Sequence, residues 1–364
     1  MPGICEAGVA TTAASSQSLE AEEDVRQAVM TAPGGIEFRD VPAPAPEAGE
    51  VLIATRRIGI CGSDIHVNHG RHPYTSYPVV QGHEVSGLVA GLGDGVVGLR
   101  VGDMVTFTPQ ITCGKCLSCL EGSYNICESL KVMGFQAPGA AQDFFTAPEW
   151  NVIPVPRRIG LDHAAMIEPL AVAVHAIGRT TGVAGKQVLV LGAGTIGNLV
   201  AQACRALGAK CVVITDLQEY KLDKARACGI GQTVNTAVTP LGDAIAAEFG
   251  PSRADLIFEC VGSRATVAQA IENARKGTTV VIVGVFSDKP EINMGFVQDR
   301  ELHIVGSAMY KKEDYRVALK LVGSGKIELD QLVTHRFKFA EYGAAYATID
   351  QSGGRYMKVL IDLD

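Results

Sequence analysis

The chain has 364 residues, which is more than one ordinary core needs and suits about two domains. Hydrophobic residues make up 47% of it and charged residues 20%, and the formal net charge is −7 without any run of lysine or arginine. These values exclude a disordered or fibrous chain and argue against binding to nucleic acid or to an anionic membrane, so we expect a small-molecule partner.

We expect residues 1–24 to form a loose extension ahead of the folded chain. They contain no lysine or arginine and no apolar stretch typical of a secretion signal. No apolar run in the chain reaches the roughly 18 residues that a membrane span requires. We therefore expect a cytoplasmic protein, in which clustered cysteines are more often metal ligands than disulfides.

Residues 25–171 have the pattern of a mostly β domain. A hairpin is expected around Pro33, Gly34 and Gly35, and strands are expected in EVLIATRRIGI, GHEVSGLVAGLG and LRVGDMVTF. Segment 110–130 stands apart within this domain because four cysteines lie in the fifteen residues CGKCLSCLEGSYNIC.

Residues 172–308 show strands that alternate with helices, from QVLVLGAG to ELHIVGS. Six candidate strands, including a short one near Thr233, predict a doubly wound parallel sheet and an α/β fold class. The tail, residues 309–364, adds a helix over EDYRVALKLVGSG and a strand over MKVLIDL. Its pattern alone leaves open whether it caps this sheet or folds back onto the first domain.

The segment GAGTIG predicts a dinucleotide site, because it follows a strand and begins a helix. The three glycines allow a tight turn, close approach to a pyrophosphate and close packing, while the free N–H groups of the helix start face the phosphates. Asp216 ends the next strand 19 residues after the last glycine, where it would hold the ribose hydroxyls. The predicted cofactor-binding residues in this region are Gly192, Gly194, Thr195, Ile196, Gly197, Asp216 and Lys221.

A second match to the same glycine pattern, formed by Gly93, Gly95 and Gly98 in GLGDGVVG, is interpreted as a turn. A strand pattern follows it, so no helix start is available for a phosphate. For the first site, the acidic Asp216 followed by the neutral Leu217 would repel a 2′-phosphate and favours NAD over NADP. Lys221 could equally be a solvated helix lysine.

The cysteine cluster has the spacing C-x2-C-x2-C-x7-C and predicts a structural zinc site with the ligands Cys113, Cys116, Cys119 and Cys127. A bacterial ferredoxin motif would have its fourth cysteine after three residues, followed by proline, whereas Glu128 follows here. An iron–sulfur site or a redox dithiol remain alternatives. Four thiolates would close the coordination shell of zinc, so we expect the chemistry elsewhere.

The remaining candidates are Cys61 in GICGSDIH, His83 and Glu84 in GHE, and Glu168 in MIEPLA. Each alone is unremarkable, since a single cysteine is usually a small buried residue and a single glutamate a solvated charge. Their occurrence together, in this order, with the cysteine cluster and GAGTIG resembles the zinc-dependent medium-chain dehydrogenase/reductase superfamily, and within it the sorbitol dehydrogenase-like polyol and sugar dehydrogenases. The resemblance runs from about Val25 to the end of the chain.

The resemblance implies a GroES-like catalytic domain made from both ends of the chain, clasping a Rossmann domain. It implies that Cys61 and His83 bind a catalytic zinc, with Glu84 and Glu168 as ligands or as holders of a zinc-bound water. Ser63 and His66 would form a proton relay, with Asp64 orienting His66. Backbone groups of Val283 and Gly284 would hold the nicotinamide.

The implied reaction is oxidation of a secondary alcohol by hydride transfer to NAD, with two zinc ions per chain, one catalytic and one structural. Sorbitol dehydrogenases carry an aromatic residue where this chain has Val67, and Arg-Tyr where it has Met309 and Tyr310. Polyols, sugar acids and cyclitols are therefore all open as substrates, and Arg71 could pair with a carboxylate. L-threonine 3-dehydrogenase activity, another secondary alcohol and a non-catalytic relative are the alternatives. The family also implies a homodimer or homotetramer.

Overall fold

A computed structural model describes residues 24–287 and 289–363 of the chain. The expected N-terminal extension lies outside the described residues except for Asp24. The strands are β1 Asp24–Ala32, β2 Gly35–Pro42, β3 Glu50–Ile60, β4 Glu84–Leu92, β5 Met104–Phe107, β6 Gln110–Ile111, β7 Lys131–Val132, β8 Phe144–Pro148, β9 Val152–Pro154, β10 Gln187–Leu191, β11 Cys211–Asp216, β12 Gln232–Asn235, β13 Leu256–Glu259, β14 Thr279–Ile282, β15 His303–Gly306, β16 Val333–Lys338 and β17 Lys358–Asp362.

The α-helices of the described residues fall mainly in the second half of the chain. They are α1 Gly62–Asn68, α2 Leu117–Leu120, α3 Leu161–Ala165, α4 Ile167–Gly178, α5 Thr195–Ala206, α6 Glu219–Ala227, α7 Leu241–Phe249, α8 Arg264–Asn273, α9 Met294–Asp299, α10 Lys312–Gly323 and α11 Tyr342–Gln351. None of the described helices is long and apolar enough to cross a membrane.

Six parallel strands form one sheet in the order β12-β11-β10-β13-β14-β15. Strand β10 is buried along its whole length because helices cover both faces of the sheet. The order reverses between β10 and β13, and ligands of such sheets bind outside the carboxyl ends of the strands at that point. The predicted doubly wound sheet, including the short strand near Thr233, is confirmed.

A second sheet contains both ends of the chain, in the order β16-β17-β3-β4-β5-β9, with β8 also paired to β3. The tail strand β17 runs antiparallel to β3, with Val359 opposite Ile60, and β3 runs antiparallel to β4, with Gly59 opposite Glu84. Strand β3 thus lies between β17 and β4, which carry Lys358 and Glu84, two residues 274 positions apart in the chain. The tail therefore takes part in the sheet of the first half.

Three elements differ from the sequence pattern. The expected strand LRVGDMVTF begins only at Met104, because the preceding residues form a turn in which Gly102 has a φ of +89°. Strand β16 and helix α11, which the sequence pattern did not indicate, complete the tail. The segment 93–98 is a turn between β4 and β5, as predicted for the second glycine match.

Helix α4 connects the two sheets through its packing. Its buried face lies in one apolar core with α5, α10 and the strands β10 and β13. Its first turn carries Glu168, so packing of this helix places a carboxylate next to the ends of β3 and β4. A separate core fills the inner side of the second sheet and includes the aromatic residues of α11.

Candidate metal centres and cofactor cleft

Three of the predicted catalytic ligands come together where β3 ends and β4 begins. Cys61 follows β3 and caps α1, while His83 directly precedes β4 and Glu84 is its first residue. One donor atom of each, the thiol sulfur, an imidazole nitrogen and a carboxylate oxygen, lies within 4.8 Å of the others. His83 and Glu84 are buried, so this donor set is shielded from bulk water. Thiol, imidazole and carboxylate are the usual ligand types of zinc.

Glu84 is held by a buried lysine from the tail. The Lys358 ammonium donates to both Glu84 carboxylate oxygens, at 2.5 and 2.7 Å, and to the Ile60 carbonyl at 3.0 Å. Only a glycine fits opposite Glu84 on β3, since a Cβ on Gly59 would lie 2.2 Å from Glu84 Oε2. Lys358 on β17 and Gly59 on β3 therefore fix the position of the Glu84 carboxylate.

Asp64 connects the other two donors. Its carboxylate accepts the Cys61 backbone N–H at 2.9 Å and lies 3.5 Å from His83 Nδ1. Burial disfavours the imidazolium, but the Asp64 carboxylate and the Cys61 side chain hold the pKa of His83 well above its usual value. The expectation that Asp64 orients His66 is not met by these contacts, because the Asp64 carboxylate faces Cys61 and His83.

Glu168 approaches the same region from α4 but lies outside the group of three donors. The Tyr310 hydroxyl donates to Glu168 Oε1 at 2.5 Å, and both side chains are buried. Burial raises the pKa of Glu168 to about 7. The neighbouring His83 acts to lower this pKa, and Glu84 acts to raise it. Tyr310 therefore faces the carboxylate rather than an open surface.

The predicted relay residues lie on α1 beside the donor group. Ser63 is half-buried and His66 is exposed. Burial, His69 and Arg71 lower the pKa of His66, so this imidazole is mostly neutral near pH 7. A neutral imidazole can accept a proton from a neighbouring hydroxyl or water.

An aromatic side chain that the sequence analysis did not single out packs on His83. The Phe135 ring lies 4.9 Å from the His83 ring and stacks on His72 at 4.8 Å. It also lines an open cavity of about 450 Å³ together with Tyr74 and Tyr77. Phe135 and His72, from two separate segments of the chain, border the donor group on one side.

The four clustered cysteines also converge. Their sulfurs lie within 4.8 Å of one another, around the short helix α2. Backbone N–H groups of Lys115 and Cys116 lower the pKa of Cys113 to about 6, which favours the thiolate that a metal requires. The four-thiol set fits a tetrahedral zinc ion.

The glycines of GAGTIG lie at the carboxyl end of β10. Gly192 has a φ of +96°, and a Cβ on Gly197 would lie 1.8 Å from the Gly192 carbonyl oxygen. A Cβ on Gly194, in contrast, would meet nothing within 4 Å, which leaves room beside the start of α5. The first and third glycines thus serve the turn and the packing, and the second leaves open space.

Thr195 and Ile196 form the first turn of α5. The Thr195 hydroxyl donates to the Met357 carbonyl at 3.0 Å, which ties the helix start to the tail. Asp216, at the end of β11, accepts backbone N–H groups of Ala193 at 2.8 Å and of Gln218 at 2.9 Å. Lys221 lies one turn further on, in α6, and is half-buried.

Val283 and Gly284 follow β14 at the same edge of the sheet. Their backbone N–H groups both donate to the Glu259 carbonyl at 2.9 Å. The buried Glu259 side chain accepts in turn from the N–H groups of Val261 and Gly262. A Cβ on Gly284 would lie 2.1 Å from the Gly262 nitrogen. The loop after β14 and the loop after β13 therefore touch through backbone alone at this point.

The sequence comparisons agree with this arrangement. Residues 47–157 match the family model of the alcohol dehydrogenase GroES-like domain, and residues 195–324 match that of the zinc-binding dehydrogenases. The chain belongs to the zinc-dependent medium-chain dehydrogenase family. The predicted family and fold class are confirmed.

Curated relatives cover nearly the whole chain. A 2-dehydro-3-deoxy-L-galactonate 5-dehydrogenase of Pseudoalteromonas atlantica is 34% identical over 88% of this chain and 93% of its own. A sorbitol dehydrogenase of Halalkalibacterium halodurans is 35% identical over 90% of this chain and 96% of its own.

Solved structures of relatives contain nicotinamide cofactors. An alcohol dehydrogenase of Escherichia coli CFT073, complexed with NADH, is 29% identical with a TM-score of 0.88 and covers 94% of this chain and 100% of its own. A chain of Sinorhizobium meliloti 1021 described as a zinc-binding dehydrogenase, bound to NADP, is 32% identical with the same TM-score and the same coverage. The family therefore uses zinc and a nicotinamide cofactor.

Four side chains around the donor group escaped the sequence analysis: Lys358, Phe135, Tyr310 in its contact with Glu168, and Asp64 in its contact with His83. An ionisable residue inside the apolar strand MKVLIDL was the available signal for Lys358, since lysine is almost never fully buried unless it is paired. Its partner could not be read from sequence, because the pairing depends on the register of three strands.

Proposed function

We propose that the protein is a zinc-dependent oxidoreductase that oxidises a secondary alcohol of a polyol or sugar acid to a ketone, with NAD as the acceptor. The observation that carries the proposal is the convergence of Cys61, His83 and Glu84 on one buried point. The carboxyl edge of a Rossmann sheet in the same chain supports it, because hydride transfer needs a cofactor beside the metal.

Cys61 and His83 are assigned as ligands of the catalytic zinc. His83 Nδ1 lies on the side of Asp64, 3.5 Å from its carboxylate, so we assign Nε2 to the metal. Glu84 completes the donor group, while Glu168, held by Tyr310, holds a water or substrate hydroxyl next to it. A bound zinc would supply Lewis acidity that makes the alcohol proton easier to remove.

The proton leaves by way of α1. Ser63, two residues after Cys61, takes the position of the first hydroxyl in the relay, and His66 accepts the proton at the exposed end. The low pKa of His66 suits this role, since a neutral imidazole is available as a base at neutral pH.

The cofactor is assigned to the edge formed by the GAGTIG turn, Asp216 and the loop after β14. A nicotinamide cofactor supplies the hydride acceptor. The open space at Gly194 is assigned to the pyrophosphate, and Asp216 is assigned to the ribose hydroxyls. The backbone groups of Val283 and Gly284 are assigned to the nicotinamide amide. Lys221 is assigned to the ribose end of the same site.

NAD is preferred over NADP in this proposal because the Asp216 carboxylate would repel a 2′-phosphate. Asp216→Asn keeps an oxygen for one of the two backbone N–H groups that Asp216 accepts and removes the charge. We expect it to lower the ratio of kcat/KM for NAD to that for NADP by roughly tenfold, which is about 1.4 kcal/mol. An unchanged ratio would show that another residue selects the cofactor.

The second zinc is assigned to the four cysteines Cys113, Cys116, Cys119 and Cys127. Four thiolates leave no open position, so this ion is structural. Metal analysis of the purified protein is expected to find two zinc ions per chain. Cys61→Ser is expected to reduce the content to one and to abolish activity.

The substrate class is tested directly by NAD reduction. A screen of polyols, aldonates and inositols at alkaline pH, where release of the alcohol proton is favoured, is expected to find turnover with a polyol or a sugar acid. Arg71→Ala is expected to raise KM mainly for acids, because Arg71 is the exposed cation beside His66. L-threonine belongs in the same screen, since L-threonine 3-dehydrogenase is the alternative. Two bound zinc ions without turnover of any alcohol would favour a non-catalytic relative.

We also propose that the protein assembles into a homodimer or homotetramer through the edge of the six-stranded sheet. Among the strands that the structure describes, β15 pairs with β14 alone, and Ile304 is 38% exposed on it. An open, apolar strand edge is a template for pairing with a second copy. Ile304→Lys is expected to shift the mass in analytical ultracentrifugation toward the monomer.

A further inference from the structure

A buried glutamine lies between the proposed zinc site and helix α11. Gln81 is 1% exposed and precedes His83 by two residues. Its side-chain oxygen accepts the Tyr346 hydroxyl at 2.6 Å. Its amide nitrogen lies 3.2 Å from the Asp64 carbonyl oxygen and 3.3 Å from Asp64 Oδ1. Both ends of the amide are therefore paired inside the protein.

The partners fix the orientation of this amide. The backbone carbonyl oxygen of Asp64 can only accept a hydrogen bond, and so can Oδ1 of its carboxylate. The NH₂ group of Gln81 therefore has to face these two oxygens. The opposite end is then an acceptor, and the Tyr346 hydroxyl is a matching donor. Reversing the amide would break all three contacts.

Asp64 is the point where this chain of hydrogen bonds meets the metal ligands. The same carboxylate accepts the Cys61 backbone N–H and lies beside the His83 ring. Partners of this kind orient metal ligands, and their loss typically lowers metal affinity by about 10- to 100-fold. A carboxylate free to rotate would hold neither ligand in a fixed position.

A purely structural role does not explain the choice of side chains. The surroundings of Gln81 and Tyr346 are a buried core, where leucine and phenylalanine would fill similar space without a polar group to satisfy. Burying an amide is unfavourable unless its hydrogen bonds are made. Here the amide nitrogen of Gln81 bonds to Asp64, and its oxygen accepts the Tyr346 hydroxyl.

We propose that Gln81 and Tyr346 are positioning residues of the catalytic zinc, which hold the Asp64 carboxylate against Cys61 and His83. The inference rests on the proposed function, since it requires zinc at Cys61 and His83. It assigns to α11, a helix of the tail, a part in holding the metal.

The test measures how fast zinc leaves the protein. The fully loaded enzyme is mixed with an excess of a chromogenic chelator, and the two zinc ions are expected to leave in two phases. Cys61→Ser identifies the phase of the catalytic site, because it removes that phase. The four-cysteine site has no contact with Gln81 and serves as a reference within the same molecule.

Gln81→Leu and Tyr346→Phe are each expected to speed up release from the catalytic site by about tenfold or more and to leave the other phase unchanged. The double variant is expected to release zinc no faster than Gln81→Leu, because the two residues act through one carboxylate. Tyr346→Phe is the milder change and keeps the test open if Gln81→Leu folds poorly.

Gln142→Leu is the matched control. Gln142 is another buried glutamine of this part of the chain, bonded to Gln27 and to the Gly139 carbonyl rather than to Asp64. If it speeds up release from the catalytic site as much as Gln81→Leu, general destabilisation is the cause and the inference is wrong.

Two other outcomes separate the inference from the proposed function. Release at the wild-type rate from a Gln81→Leu protein that holds two zinc ions overturns the inference and leaves the function intact. A Cys61→Ser variant with the same zinc content as the wild-type protein overturns the proposed catalytic site, and the inference with it.

Discussion

Lys358 supplies a positive charge that is already inside the protein before any metal binds. It is 3% exposed and its ammonium contacts both oxygens of Glu84. A buried carboxylate without a cation is strongly unfavourable, and Lys358 supplies the cation that faces Glu84. If zinc binds as proposed, the lysine and the zinc ion would share this carboxylate.

Replacing Lys358 by Met is expected to destabilise the metal-free protein more than the zinc-loaded protein. Breaking a buried ion pair typically costs about 3–5 kcal/mol because one charge is left alone. Bound zinc would neutralise Glu84 in place of the lysine and reduce this loss. Urea unfolding with and without zinc measures the difference.

Lys276→Met is the control, since Lys276 is an exposed lysine whose ion pair with Asp299 is 3.8 Å long. It is expected to have little effect in either state. An equal loss for Lys358→Met with and without zinc would contradict the sharing of Glu84.

Glu168 and Cys61 are expected to differ in their effect on zinc content. Glu168 lies outside the group of three donors and is held by Tyr310. Glu168→Gln is therefore expected to keep two zinc ions per chain while kcat falls, whereas Cys61→Ser keeps one. Metal analysis beside steady-state kinetics makes the comparison. Loss of zinc from Glu168→Gln as complete as from Cys61→Ser would make Glu168 a required ligand.

Helices and strands were predictable where a local pattern determines them. The Rossmann strands are short apolar runs separated by amphipathic helices, and the glycines of GAGTIG occupy a turn that requires a φ of +96° at Gly192. The sequence also indicated the four-cysteine group, because its ligands lie within fifteen residues.

Elements that depend on distant pairing were not predictable. Strand β16 has a mixed burial pattern without clear alternation, and its pairing with β17 decides its conformation. The contacts of Lys358 with Glu84 and of Gln81 with Tyr346 join positions 274 and 265 residues apart. Such contacts follow from the tertiary fold, and one sequence carries no local signal for them.

The four-cysteine lobe is expected to contribute to stability rather than to the chemical step. Cys116→Ser removes one of the four thiols of the proposed structural zinc site, and the lobe, with its short helix α2, has little buried surface of its own. We expect the Tm to fall by more than about 5 °C, since each kcal/mol shifts it by about 2–4 °C in a domain of this size.

In the same variant, kcat per folded active site is expected to stay within about twofold of the wild-type value. Differential scanning fluorimetry and titration of active sites measure the two effects separately. A fall in kcat of more than tenfold at unchanged Tm would place the lobe in the chemistry.

At the scale of the whole molecule, one carboxylate joins three distant parts of the chain. Asp162 in α3 accepts the Arg57 side chain of β3 at 2.9 Å and the Arg336 side chain of β16. Burial opposes ionisation, but Arg336 and Arg57 hold the pKa of Asp162 below its usual value. The tail is thereby tied to the first half of the chain beside the sheet that both form.

Asp162→Asn is expected to lower the free energy of unfolding by about 1 kcal/mol at pH 7, because the pair is partly exposed and screened by solvent. Since the folded pKa is lower than the unfolded one, the ion pairs stabilise the protein above about pH 4 and lose this effect as the pH falls through the folded pKa. The difference between the two proteins should therefore shrink below pH 4.

Denaturant unfolding at several pH values and at low and high salt tests this expectation. Asp223→Asn is a suitable control, because Asp223 pairs with Arg226 inside the single helix α6 and joins no distant segments. It is expected to change stability little at any pH. If Asp162→Asn behaves in the same way, the tail is held by strand pairing and apolar packing alone. A loss that disappears at low pH would instead show that the Asp162 charge helps to close the domain built from both chain ends, on which the positions of Lys358 and Tyr346 depend.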